Sequence, residues 1–386
     1  MGRISRRGLP LAIALVLLTL LTQSGCWSYR EIDNLMIVSG LSVDAGPKDD
    51  DLELTVEVID IDSGQGNVNR TKTISLTGKS MFQLVRNLIA VTGRKLYWSH
   101  AKVIVISEEI AKRGVGPYLE YICRDTETRA DMYIAMAKGS TAKAVLNAKP
   151  VGDRVISFEI SDMLRNQKHL GVVPVLEIWD LVDRMERQGR TPLIPVIELI
   201  PYGEGHAVKM NGSAILIKGK YEGYLSGQQT FYCRFVKNEI DGGVLLINGK
   251  QKPDAISLEI LESKTKRQLI VKNNRPTFHI KVETDVSLIE VLDDEPIFAE
   301  KDRTRLEQRA SQTLKQRISE HIELVQNTYR TDLFGFGTYV HEHNPALWRN
   351  YRDRWNTYFP QMEISVEAKV NIRNTAKTLK PIEEKE

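Results

Sequence analysis

The chain has 386 residues, 42% of them hydrophobic, 27% charged and 7% aromatic, a globular composition that suits about two or three domains. Its formal charge of +3 comes entirely from Arg3, Arg6 and Arg7, so the remaining body is neutral and lacks the positive field that general nucleic-acid binding needs. Three cysteines are too few for a disulfide framework.

Arg3, Arg6 and Arg7 form a basic leader, and Leu9 to Thr22 follow as an apolar segment. At about fourteen residues, roughly 21 Å as a helix, the segment falls short of the ~30 Å bilayer core. Residues 1–25 therefore read as a secretory signal. Ser24-Gly25-Cys26 resembles a bacterial lipobox, with Gln23 where that pattern usually has Leu. That resemblance implies cleavage between Gly25 and Cys26 and a diacylglyceryl group, with fatty chains such as palmitate, on the Cys26 thiol. Two chains in the bilayer, at ~0.8 kcal/mol per buried methylene, hold a protein stably. The rest of the chain would then lie outside the cytoplasmic face of a membrane.

Beyond Cys26, Leu35–Asp44 and Leu52–Asp62 read as a hairpin around the turn residues "GPKDDD". Thr71–Gly78 is a third strand. Lys79–Gly93 has helical apolar spacing and stops at a glycine. Ala101–Ser107 is a buried strand, and Glu108–Asp125 reads as helix, short break, helix. A strand over Ala130–Gly139, a helix over Thr141–Lys149, helices over 157–169 and 174–189, and a strand over Thr191–Ile200 follow. Pro201–Gly212 is Gly-rich and polar, and the domain boundary is expected there. It separates an N-terminal unit, 26–205, of one or two subdomains, from a C-terminal unit, 206–376, and a polar tail, 377–386.

In the second unit, Ser213–Gly227 reads as a hairpin turning at Gly219-Lys220. Strands are expected at 244–248, 256–263, 277–285 and 287–292. Arg303–Tyr329 is the longest helical pattern, with a stripe of Leu306, Ala310, Leu314, Ile318, Ile322 and Val325 that faces a core. Met362–Arg373 alternates as a final strand. The fold class is α/β to α+β: several units in which mixed sheets pack against helices.

The residues that could carry chemistry do not assemble into a site. His341-Glu342-His343 places two histidines at i and i+2, a shared face only on a strand, and lacks the i, i+4 spacing of a helical zinc motif. His100, His169, His206, His279 and His321 are scattered. Cys123, in a predicted helix, and Cys233, in a strand-like segment, read as small buried thiols or as a pair in an exported protein. Ser63–Asn67 lacks the Lys-Ser/Thr of a P-loop, "FGFG" lacks a dinucleotide fingerprint, and no G-x-S-x-G elbow occurs. Asp293–Glu295 reads as a solvated loop. The chain reads as a non-enzyme without cofactor or metal.

The stretch "DLFGFGTYVHEHNPALWRNYRDRWNTYFP", Asp332–Pro360, concentrates aromatic residues. Trp348, Tyr351, Trp355, Tyr358 and Phe359 recur at helical intervals. They read as a helix packed on the sheet or, at Trp348, Tyr351 and Trp355, as a partner-binding surface.

Three segments in order resemble the Ger(x)C family, the C subunits of the nutrient germinant receptors of endospore-forming bacteria. They are "GCWSYREIDNLMIVSGLSVD", the region from "RKLYWSHAKVIVIS" to "MAKGSTAKAVL", and the aromatic stretch followed by "MEISVEAKVNIRNT". The resemblance covers Cys26 to about Ala376. It implies a non-catalytic lipoprotein of several α/β domains on the outer face of the spore's inner membrane. It also implies polytopic A and B subunits as partners, and the lipidated cysteine falls on Cys26. Trp27 would lie at headgroup depth, where Trp is favoured. The rival readings are a lipoprotein that captures the nutrient itself and a lipid-anchored hydrolase.

Overall fold

The computed structural model describes residues 35–48, 50–60, 70–152, 155–292 and 300–375. Gly25, Cys26, Trp27, Ser63–Asn67, Asp293–Glu295 and the polar tail lie outside the described residues.

A nine-stranded mixed sheet organises the first part of the chain. Strands β1 (Leu35–Ala45), β2 (Leu52–Asp60) and β3 (Arg70–Gly78) form an antiparallel meander. Short β4 (Lys95–Tyr97) and then β5 (Val103–Ser107) run parallel to β1. Strands β6 (Tyr133–Ala137) and β7 (Leu193–Tyr202) extend the parallel centre, and β8 (Gly205–Ile217) and β9 (Lys220–Leu225) close it with an antiparallel edge. Parallel strands must be covered on both faces. In β5 the alternation shows it: Ile104 and Ile106 enter one core and Val103 and Val105 the other.

The first of those cores holds α1 (Met81–Thr92), α2 (Glu108–Arg113), α3 (Gly116–Arg124) and α6 (Ile178–Glu186). The second holds α4 (Ala142–Leu146) and α5 (Ile156–Arg165). Helix α1 stops where Gly93 turns left-handed (φ 66°) and returns its N–H to Ile89. Two buried carboxylates of the β1–β2 hairpin secure the other face. Asp44 accepts from the Ala142 and Lys143 N–H groups at 2.7 and 2.8 Å. Glu57 accepts from Ile156 and Ser157 at 3.2 and 3.1 Å, so each carboxylate satisfies free donors at a helix start.

The second part is a four-stranded sheet, β10 (Gly243–Ile247), β11 (Ile256–Lys272), β12 (Arg275–Val291) and β13 (Ile364–Thr375), under helices α7 (Gly227–Lys237) and α8 (Glu300–Leu324). Strands β10 to β12 are antiparallel, and β13 lies parallel to β12 after the α8 crossover. The α8 stripe is buried from Leu306 to Val325, in the core as expected.

Three details depart from the sequence reading. Cys233 lies on helix α7, not on a strand. The segment "TFYCRFV" has strand-like composition, but a capping box starts the helix: Ser226 accepts from the Gln229 N–H at 3.3 Å, and the Gln229 side chain takes the Ser226 N–H at 2.9 Å. The strands expected at 277–285 and 287–292 are one, β12; a register shift at Val286/Ser287 interrupts its alternation. Strand β11 runs on to Lys272 because Asn273 and Asn274, both at positive φ, make a tight hairpin turn to β12.

The Pro201–Gly212 region forms the β7–β8 hairpin, with Tyr202 opposite Gly205. The first sheet continues through it to Leu225. Leu193, Ile215 and Leu225 of that sheet also pack into the core of the second.

Candidate functional site

The two parts meet where the α6–β7 loop lies on the aromatic stretch. Helices α9 (Phe336–His343), α10 (Pro345–Tyr351) and α11 (Trp355–Tyr358), with short 3-10 turns between and after the last two, carry that stretch. Arg330 takes a left-handed φ of 54° after a π-helical turn, Val325–Tyr329, and the chain then doubles back over the sheet.

Asp332 governs this return. It is 2% exposed. One of its oxygens, Oδ1, accepts from the N–H groups of Phe334 and Gly335 at 3.0 and 2.9 Å. The other, Oδ2, accepts from the Gly337 N–H at 2.7 Å and from the Trp355 indole at 3.0 Å. Burial pushes its pKa up, against the pull of these donors. Gly335 supplies the left-handed turn (φ 77°) that aims the donors inward.

The α6–β7 loop fits against this knot. Thr338 donates to the Gln188 carbonyl at 3.1 Å, and the Trp348 indole donates to the Gln188 side chain at 3.3 Å. The Thr191 and Thr331 hydroxyls share a hydrogen bond at 3.1 Å. The Tyr329 hydroxyl reaches the Tyr224 carbonyl on β9 at 2.7 Å.

The expected partner surface at Trp348, Tyr351 and Trp355 needs correcting on this point. These side chains are 3%, 5% and 3% exposed. Trp348 meets Trp355 edge-on at 5.3 Å, and Tyr351 donates to the Asn274 carbonyl at 3.0 Å. Their rings are spent on the core and the joint, so they offer a partner no free face. Aromatic spacing reported a packed segment; the direction it faces depends on neighbours distant in sequence.

The remaining candidates stay apart. His341, Glu342 and His343 sit on helix α9, not a strand, where i and i+2 point away from each other. His343 stacks on Tyr339 at 3.8 Å, and His341 lies 6.0 Å from Trp348. Among the described residues no group of three His, Cys, Asp or Glu could hold a metal ion. Cys123 is exposed and Cys233 buried, both as free thiols, and burial pushes the Cys233 thiol up to about 12. His321 is buried on α8, and neither ring nitrogen has a hydrogen-bond partner among the described residues. Among the described residues no helix is long and apolar enough to cross a membrane.

The fold and its joint define a class: mixed-sheet α/β units sewn together by an aromatic C-terminal segment. The crystal structure of the GerBC protein shares that fold, with a TM-score of 0.57 and 24% identity over 87% of this chain and 97% of that one. Residues 28–199 match the family described as spore germination protein N-terminal domain, and residues 211–376 match spore germination B3/GerAC-like, C-terminal. The chain belongs to the Ger(x)C family of spore germination proteins. Spore germination protein YndF of Bacillus subtilis strain 168 is 25% identical over 97% of this chain and 98% of its own. Spore germination protein KC of the same organism is 24% identical, covering 96% and 97%. Spore germination protein B3, also from that strain, is 25% identical, covering 92% and 95%.

Proposed function

We propose that this germination protein is the lipid-anchored, non-catalytic subunit of a membrane nutrient receptor, tethered through Cys26 beside polytopic A and B subunits. It acts as a scaffold or transmits their signal on the outer face of the spore's inner membrane. The observation that carries this reading is the joint between Gln188-Gly189 and the aromatic stretch. It spends the most chemistry-rich segment of the chain on holding two sheet units together, as a rigid intermediary requires. A tether raises the local concentration of such a body near its partners, so modest surfaces suffice.

The test is nutrient-triggered release of dipicolinic acid from spores in which this receptor is the only one left. Cys26→Ala is expected to move the protein out of the membrane fraction and to abolish release. Normal release from spores lacking the whole gene would refute the reading.

A second reading, direct nutrient capture, is favoured by a groove of about 900 Å³ between α5 and β8, lined by Met163, Val208 and Met210. The Gln167 side-chain amide oxygen, Oε1, at that groove is buried without a hydrogen-bond partner among the described residues. Saturable heat on titrating nutrients into the purified protein would support capture over scaffolding.

A further inference from the structure

At the joint between the two parts lies a cleft of about 130 Å³ into which four cations and two carboxylates project. Its charges do not cancel. Lys237 pairs with Glu239 at 3.1 Å, and Glu239 also faces Arg184 at 3.6 Å. Arg187 pairs with Asp183 at 2.7 Å and approaches Glu342 at 3.6 Å. Both acids of the cleft are therefore engaged. That leaves Arg190, from the α6–β7 loop, and Arg267, from β11.

Arg267 donates to the Phe334 carbonyl at 3.2 Å and lies over the Tyr339 ring at 5.3 Å, but has no carboxylate partner among the described residues. Arg190 is half-buried, with neither a hydrogen bond nor an ion pair among the described residues. Burial lowers its pKa, and repulsion from Arg184 and Arg187 adds to this, while Glu239 and Asp180 attract it only from a distance. A desolvated guanidinium without a counter-charge is costly, and guanidinium forks match planar or tetrahedral oxyanions.

We propose that this cleft is a binding site for a small oxyanion, a carboxylate or a phosphate, gripped between Arg190 and Arg267. The two arginines come from different sheet units, so the bound anion bridges them. Occupancy stiffens the joint, and the site gives a small acidic metabolite a direct hold on the relative placement of the two parts.

The test is calorimetry on the full-length protein in detergent, in a buffer free of phosphate and carboxylates, titrated separately with inorganic phosphate and with acetate. Saturable binding of either is expected, weakened about tenfold or more in both Arg190→Gln and Arg267→Gln. Binding of phosphate alone assigns a phosphoryl ligand, and binding of acetate alone a carboxylate. No saturable binding of either anion overturns the proposal, as does affinity unchanged in both variants. Thermal unfolding in the same buffer separates folding from binding. Arg190→Gln is expected to melt no lower than the parent protein, because it removes an unpaired charge, and to lose the rise in melting temperature that the anion confers. If Arg190→Gln does not fold, Arg190→Lys serves instead: it keeps the charge and loses the fork, so unweakened binding there overturns the proposal.

Discussion

Gly189 and Gly337 meet backbone to backbone across the joint. A Cβ on Gly189 would lie 2.8 Å from the Gly337 main chain, and one on Gly337 would lie 2.9 Å from the Gly189 Cα and 2.8 Å from the Trp355 indole nitrogen. No side chain fits between them, which is why the α6–β7 loop can reach the aromatic stretch with its own carbonyl and amide groups.

Gly337→Ala is therefore expected to lower stability by ~1–3 kcal/mol through overpacking. Gly335→Ala is the control: its φ of 77° is strained for alanine, but nothing lies within 4 Å of the new methyl. It should cost only about 1 kcal/mol. Equal midpoints for the two variants in urea denaturation would contradict the close approach.

The Asp332 carboxylate is expected to be intolerant of amidation. In Asp332→Asn an NH₂ group takes the place of one oxygen, and each oxygen now faces two N–H donors. A buried donor facing donors should cost about 2–4 kcal/mol. Trp355→Phe keeps an aromatic ring but removes the indole donor and the volume of its five-membered ring, so a lost hydrogen bond and a small cavity together should cost about 2 kcal/mol, at the low end of the Asp332→Asn range. Chemical denaturation of the two variants in parallel measures the order.

Burial holds His321 in its neutral form and lowers its pKa from the ordinary 6.5 to about 4. The folded-state pKa lies below the unfolded one, so the unfolded chain takes up the proton first. The stability linked to neutral His321 is thus fully present above about pH 6.5 and is lost as pH falls towards 4, by roughly 3 kcal/mol at most. His321→Phe, which keeps an aromatic ring against Phe334, should flatten the stability profile between those pH values. An unchanged slope would show that His321 does not titrate with folding.

Cys123 and Cys233 should differ in reactivity. Cys123 is exposed, while Cys233 is fully buried and inert at neutral pH. Brief treatment of the native protein with a maleimide, followed by peptide mapping, should find label on Cys123 and none on Cys233. Label on Cys233 should appear only after denaturant is added.

Much of the architecture was legible because it rests on local pattern. The α8 stripe, the buried run of β5, the stop of α1 at Gly93 and the alternation of β13 are each written within a few residues, as periods of 3.6 or 2 and as turn chemistry. Helix α7 was not, because its β-like composition outweighs a capping box that spans only Ser226 to Gln229. That Ser-x-x-Gln signal was the clue. Strand β11 ran past its expected end because the polar run from Glu262 to Gln268 hides the apolar Leu269–Val271 that follows, leaving the Asn273-Asn274 turn to mark the end.

By itself the sequence determined the order and type of most elements, the neutral body, the core-facing stripe of α8 and the resemblance to the family. The elements and the stripe follow from residues near one another in the chain, and the charge balance and the resemblance from totals and segments along its length. The tertiary structure alone decided that Trp348 and Trp355 face inward, that Gly189 lies on Gly337, and that Arg190 and Arg267 line one cleft. Those pairings join residues up to 160 positions apart, as Trp348 and Gln188 are. Such contacts are set by how whole sheets and helices close on each other, a long-range packing condition that no window of sequence contains.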